Sequence, residues 1–96
     1  MKRQYDPAFL KILRNANVRI RKSFKQRIVV FARDPHHPKL NNHALKNEYK
    51  GYRSIDITAD YRAIYEEITE NNEPVAYFIL IGKHKELYNS NLKENN

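Results

Sequence analysis

The stretch Tyr52-Arg-Ser-Ile-Asp-Ile-Thr58, followed by Tyr61-Arg-Ala-Ile-Tyr65 and then Val75-Ala-Tyr-Phe-Ile-Leu-Ile81, decides the fold. In the first segment Arg53, Ile55 and Ile57 fall on one side and Tyr52, Ser54 and Asp56 on the other. This is the two-residue alternation of a strand with one buried face. Tyr61 to Thr69 is a second β-branched and aromatic run, and the tight connection around Ala59-Asp60 makes the two a hairpin. Asn71-Asn-Glu-Pro74 forms the next turn. Val75 to Ile81 is apolar on both parities, the pattern of a central strand with both faces partly covered, and Gly82 ends it.

Toward the N-terminus the period changes from strand to helix. Asp6 before Pro7 reads as an N-cap with proline at the first helical position, and Phe9, Ile12, Leu13 and Ala16 recur at helical spacing. The first helix is therefore expected over Pro7 to Asn15. Ile20, Phe24, Ile28 and Phe31 then hold one face of a second amphipathic helix, Val18 to Arg33, which Asp34-Pro35-His36-His37-Pro38 terminates. Lys2 to Tyr5 is assigned a short edge strand, the residues up to about Lys46 a loop, and Lys85 to Tyr88 a helical turn. Asn89 to Asn96 is polar enough to fray. The expected class is α+β: one domain over residues 1–96, with an N-terminal helical hairpin on a three- to four-stranded antiparallel sheet whose other face is open to a ligand.

Composition narrows the chemistry. The 96 residues are 41% hydrophobic and contain no cysteine, which excludes a disulfide framework and thiolate metal sites and is compatible with a reducing cytoplasm. The polar run after Lys2 and Arg3 is unlike a signal peptide, and the apolar stretches Ile28 to Ala32 and Val75 to Ile81 are too short to span a bilayer. The expected location is cytoplasmic, with no membrane partner. Of the net charge of +7, residues 1–48 carry +9 and residues 49–96 carry −2. A basic half suits a polyanion such as RNA or DNA; a solvated helix face accounts for it equally well.

Metal-independent RNA cleavage needs a base for the 2′-hydroxyl, a cation for the phosphate and an acid for the leaving oxygen. Histidine suits both proton transfers and arginine suits the phosphate. His43, His84, Asp56 and Asp60 are the proton-transfer candidates, and Arg53 and Arg62 the phosphate candidates. Each has a structural alternative: Asp60 as a turn residue, the arginines as cross-strand partners of Asp56, Glu66 or Glu67, and the tyrosines as packing. His36 and His37 read as structural. No close-spaced ligand pair supports a zinc site built from His43, His84 and the aspartates, and no cofactor is expected.

Four motifs occur in order: His43-Ala-Leu-Lys, Lys50-Gly-Tyr-Arg53, Asp60-Tyr-Arg-Ala-Ile-Tyr65, and Gly82-Lys-His84 with Leu87-Tyr88. On these the chain resembles the RelE superfamily of bacterial type II toxin–antitoxin toxins, and looks most similar to its YafQ-like branch. The resemblance implies a RelE-like ribonuclease fold, mRNA cleavage in the ribosomal A site and neutralisation by a cognate antitoxin, with operator DNA bound only as the toxin–antitoxin complex. It matches His43, Asp60 and His84 to YafQ-like catalytic positions and Tyr61 to an aromatic position. It also matches Arg53 and Arg62 to phosphate-contacting arginines of RelE, and Tyr88 to the C-terminal catalytic tyrosine of RelE. Lys50 and Lys83, inside the same motifs, join the RNA-binding candidates. His84 falls where RelE has an arginine, and Asp56 where the YafQ-like pattern has a histidine. Asp56 then acts either as a general base or as a drain on catalytic power.

The expected function is an mRNA endoribonuclease, with His84 as acid, Asp60 or His43 as base, Arg53 and Arg62 on the phosphate, and Tyr88 assisting. The alternative is a non-catalytic protein of RelE/ParE type, acting by binding gyrase, antitoxin or DNA.

Overall fold

The structure, a computed structural model, describes the backbone of residues 1–91 and the side chains of residues 1–87. Strand β1 (Lys2–Tyr5) leads into helices α1 (Pro7–Asn15) and α2 (Val18–Arg33). Then come β2 (His43–Ala44), β3 (Tyr52–Asp56), β4 (Tyr61–Glu70), β5 (Glu73–Lys83) and helix α3 (His84–Asn91). Both N-terminal helices start where their caps lie. Asp6 Oδ1 accepts from the Ala8 amide at 2.9 Å, and Asn17 Oδ1 from the Ile20 amide at 3.0 Å.

The sheet has five strands in the order β1-β5-β4-β3-β2, and β1 runs parallel to β5 while the other pairs are antiparallel. This corrects the expected three- to four-stranded antiparallel sheet. The fifth strand is His43–Ala44, assigned above to a loop, because a two-residue ladder is too short to show a period. The β4–β5 turn is also tighter than expected. Asn71 and Asn72 both have positive φ (51° and 65°), as a two-residue hairpin of the I′ kind requires, and the strand resumes at Glu73.

Between Ile64/Leu80 and Tyr65/Phe78 the β4–β5 register slips by one residue, which leaves Ile79 unpaired as a bulge. The bulge accounts for apolar residues on both parities of β5. Phe78 and Ile81 join Phe9, Phe24, Phe31 and Tyr65 under the two helices, where the rings pack in contact: Phe31 and Tyr65 edge-on at 5.1 Å, Phe9 and Phe78 at 5.7 Å. Ile79 and Leu80 instead reach a smaller cluster on the far face, with Leu45, Tyr49, Tyr52, Ile64 and Leu87. The far face is thus not open throughout, as the sequence led us to expect. Tyr49 and the α3 residue Leu87 cover part of it, beside the end where the β3–β4 connection meets the start of α3. Among the described residues no helix is long and apolar enough to cross a membrane.

Candidate functional site

The connection Ile57 to Asp60 is a closed structure. The Ile57 amide donates to the Tyr61 carbonyl at 2.9 Å, and Thr58 Oγ1 accepts from the Asp60 and Tyr61 amides at 3.3 and 3.1 Å. Arg62 clamps it from the side, Nη1 donating to the carbonyls of Thr58, Ala59 and Tyr61, each at 3.1 Å. The His84 amide, first in α3, donates to the Asp60 carbonyl at 2.6 Å. A backbone hydrogen bond therefore ties the loop carrying Asp60 to the helix carrying His84. Leu87 in turn holds α3 to the sheet; its Cδ2 lies 3.3 Å from where a Cβ on Gly82 would project.

These elements frame a cleft of ≈ 320 Å³ lined by Ala59, Asp60, Arg62, Lys83, His84 and Lys85. It holds one carboxylate, one imidazole and three cationic side chains. Four candidates from the sequence, Asp60, Arg62, Lys83 and His84, meet here. Lys85 was not singled out, although its adjacency to His84 was a usable signal.

The other candidates lie elsewhere. Arg53 pairs with Tyr65 across β3 and β4 and so faces the helices, where its Nε donates to Asn42 Oδ1 at 2.7 Å. Asn42 Nδ2 donates onward to the Tyr65 hydroxyl and the Pro35 carbonyl, both at 2.8 Å. Burial pushes the Tyr65 phenol above its ordinary value, against the Asn42 hydrogen bond and the Arg53 charge. Arg62, opposite Asp56, faces the far side, so the two arginines do not converge. Asp56 Oδ1 lies 2.8 Å from Arg62 Nε, one of the cross-strand pairings weighed from the sequence.

His43 pairs with Ser54 on edge strand β2 and shares the far face, but two strand spacings, about 10 Å, separate β2 from β4. Its Nδ1 contacts the Asn41 carbonyl at 2.8 Å. Lys50 precedes β3, roughly 20 Å along the chain from Asp56 in extended geometry. Tyr61 packs on the helix-side core and lines a separate groove of ≈ 400 Å³ with Ile12, Ala16 and Ile81. The Tyr88 side chain lies outside the described residues. Among the described residues no group of three or more His, Cys, Asp or Glu is placed to hold a metal.

No family model matches the chain, and no curated protein matches it in sequence. Solved structures do match. YafQ from E. coli strain BL21(DE3) is 22% identical over 91% of this chain and 97% of that one, with a TM-score of 0.71. A YoeB/ParE toxin from Agrobacterium tumefaciens is 22% identical over 88% and 99%, with a TM-score of 0.70. A chain of the RelB–RelE antitoxin–toxin complex from Methanococcus jannaschii is 21% identical over 92% and 98%, with a TM-score of 0.65. The chain therefore has the α+β fold of the RelE, YafQ and YoeB toxins, as its motifs suggested.

Proposed function

We propose that this chain is the toxin of a type II toxin–antitoxin pair and cleaves mRNA, within the ribosomal A site, by metal-independent attack of a 2′-hydroxyl. The observation that carries the reading is the cleft in which Asp60 and His84, joined through their backbones, stand beside Arg62, Lys83 and Lys85. A carboxylate and an imidazole among cations meet the three requirements of phosphodiester transesterification. Asp60 accepts the proton of the 2′-hydroxyl as that oxygen bonds to phosphorus. The P–O5′ bond breaks, and His84 protonates the departing O5′. The products are a 2′,3′-cyclic phosphate and a free 5′-hydroxyl. Lys83, Lys85 and the available arm of Arg62 stabilise the charge that gathers on the phosphoryl oxygens. His43, at the sheet edge, is better placed to contact RNA beyond the scissile phosphate than to share this proton transfer.

Similarity to a RelB–RelE complex supports a cognate antitoxin as partner. The decisive experiment is induction in cells with primer extension on cellular mRNA and analysis of the new ends. Codon-linked cuts bearing 2′,3′-cyclic phosphates are expected. Intact mRNA during growth arrest removes the reading. The Arg62–Asp56 pairing and the turning of Arg53 toward the helices favour a second reading, a non-catalytic protein that arrests growth by binding, as a gyrase poison does. Gyrase-dependent DNA breaks with intact mRNA select that one.

A further inference from the structure

Asp56 is the group that a phosphate-cleaving site accommodates least, yet its surroundings give it a task. It sits opposite Arg62 in the β3–β4 ladder, with Oδ1 2.8 Å from Arg62 Nε and the two side chains 25% and 15% exposed. That oxygen is enclosed and has no aligned hydrogen bond, so the guanidinium charge is what offsets its burial. The other arm of Arg62, Nη1, is engaged by the carbonyls of Thr58, Ala59 and Tyr61. A guanidinium carries its donors in a rigid planar fork, so fixing two of its three nitrogens fixes the third. Arg62 lines the cleft with Asp60, Lys83 and His84, and Nη2 is the nitrogen that neither set of contacts engages.

We infer that Asp56 is a positioning residue: it anchors Nε so that Nη2 of Arg62 is held where the scissile phosphate binds. This rests on the ribonuclease reading above. It also gives the departure at Asp56 a sign. A carboxylate that merely repels phosphate slows cleavage, and its removal speeds the reaction. One that orients the arginine of the cleft speeds cleavage, and its removal slows the reaction.

The test uses the full chain, RNA cleavage kinetics, and the nuclear magnetic resonance signal of the Arg62 Nε–H group. Asp56→Glu keeps a carboxylate charge in reach of Nε, whereas Asp56→Asn and Asp56→Ala remove it; Asp56→Ser, uncharged and too short to reach, replaces the alanine variant if that does not fold. Asp56→Ala and Asp56→Asn are expected to lower kcat about 10- to 100-fold, the scale of a misplaced catalytic contact, with KM nearly constant. Asp56→Glu is expected to stay within about threefold of wild type. The Nε–H signal should be slowly exchanging in wild type and Asp56→Glu and should broaden in Asp56→Ala. Cleavage by Asp56→Ala at or above the wild-type rate overturns the inference. So does equal impairment of Asp56→Glu and Asp56→Ala, or an Nε–H signal indifferent to the substitution. If the wild type cleaves no RNA, the ribonuclease reading fails alone, and the Arg62 signal still decides whether Asp56 orients it.

Discussion

Arg53 is where motif and structure disagree most sharply, and replacing it by methionine separates them. The resemblance assigns this arginine to phosphate. Its Nε instead donates to Asn42 Oδ1 at 2.7 Å, on the helix side of the sheet, and Asn42 donates to the hydroxyl of the buried Tyr65 at 2.8 Å. Arg53→Met preserves the length of the side chain and removes every donor, so Asn42 Oδ1 loses its charged partner. A hydrogen bond to a charged group contributes about 1.5–3 kcal/mol, and partial solvent access at Arg53 reduces this to about 1–2 kcal/mol. For a chain of this size that is a fall in Tm of roughly 5–15 °C. Thermal unfolding of Arg53→Met, Tyr65→Phe and the double variant measures the coupling, expected at about 0.5 kcal/mol or more because Asn42 links the two. Cleavage by the folded Arg53→Met protein should stay within about threefold of wild type, since the side chain is not in the cleft. A Tm shift below about 1 °C together with a cleavage loss near 100-fold would refute this placement of Arg53.

Three further outcomes follow from the same geometry. His84→Ala should relieve growth arrest and reduce cleavage about 10²- to 10⁴-fold, the usual contribution of a general acid; unchanged toxicity of the folded variant removes His84 from the mechanism. Replacing Asn71 and Asn72 together by alanine places two Cβ-bearing residues with no side-chain amide at positive φ and should cost about 2 kcal/mol in denaturant unfolding; an unchanged midpoint argues against that turn. Burial raises Tyr5 and Tyr65, and the hydrogen bond to Asp6 raises Tyr77, above the ordinary value of 10.0. The folded protein thus holds these protons more tightly than the unfolded chain, so their contribution to stability is complete below that value and is lost as pH rises through the folded values. Tm measured against pH should fall beyond it, and less steeply in Tyr77→Phe; an identical slope in that variant contradicts the Asp6 hydrogen bond.

Much of the fold was legible. Asp6-Pro7 and Asn17 mark both helix starts, and the apolar spacing from Phe9 to Phe31 marks the buried faces. What escaped was what local pattern does not encode. The pairing of His43–Ala44 is too short for a period, and the parallel docking of β1 on β5 depends on the path of the helices between them. The Ile79 bulge is visible in sequence only as apolar residues on both parities. In the cleft, residue type was readable at Asp60, Lys83 and His84, but their convergence depends on a contact between two chain segments, the His84 amide on the Asp60 carbonyl.

The separation of the two arginines, by contrast, follows from arithmetic already present in the hairpin. Asp56 faces Arg62 across the ladder, and Arg53 is three residues before Asp56 on a strand whose side chains alternate. An odd separation sends Arg53 to the opposite face. Once the β3–β4 register is fixed, no rotamer returns it to the cleft. A one-residue change in the Ile57–Asp60 connection reverses this relation and buries Arg62 against the helices. The clamp that Arg62 places on that connection supports the same register, alongside the burial of Ile55, Ile57, Ala63 and Tyr65 on the helix side. The same residue braces that connection and lines the cleft, so substitutions at Arg62 should perturb fold and cleavage together.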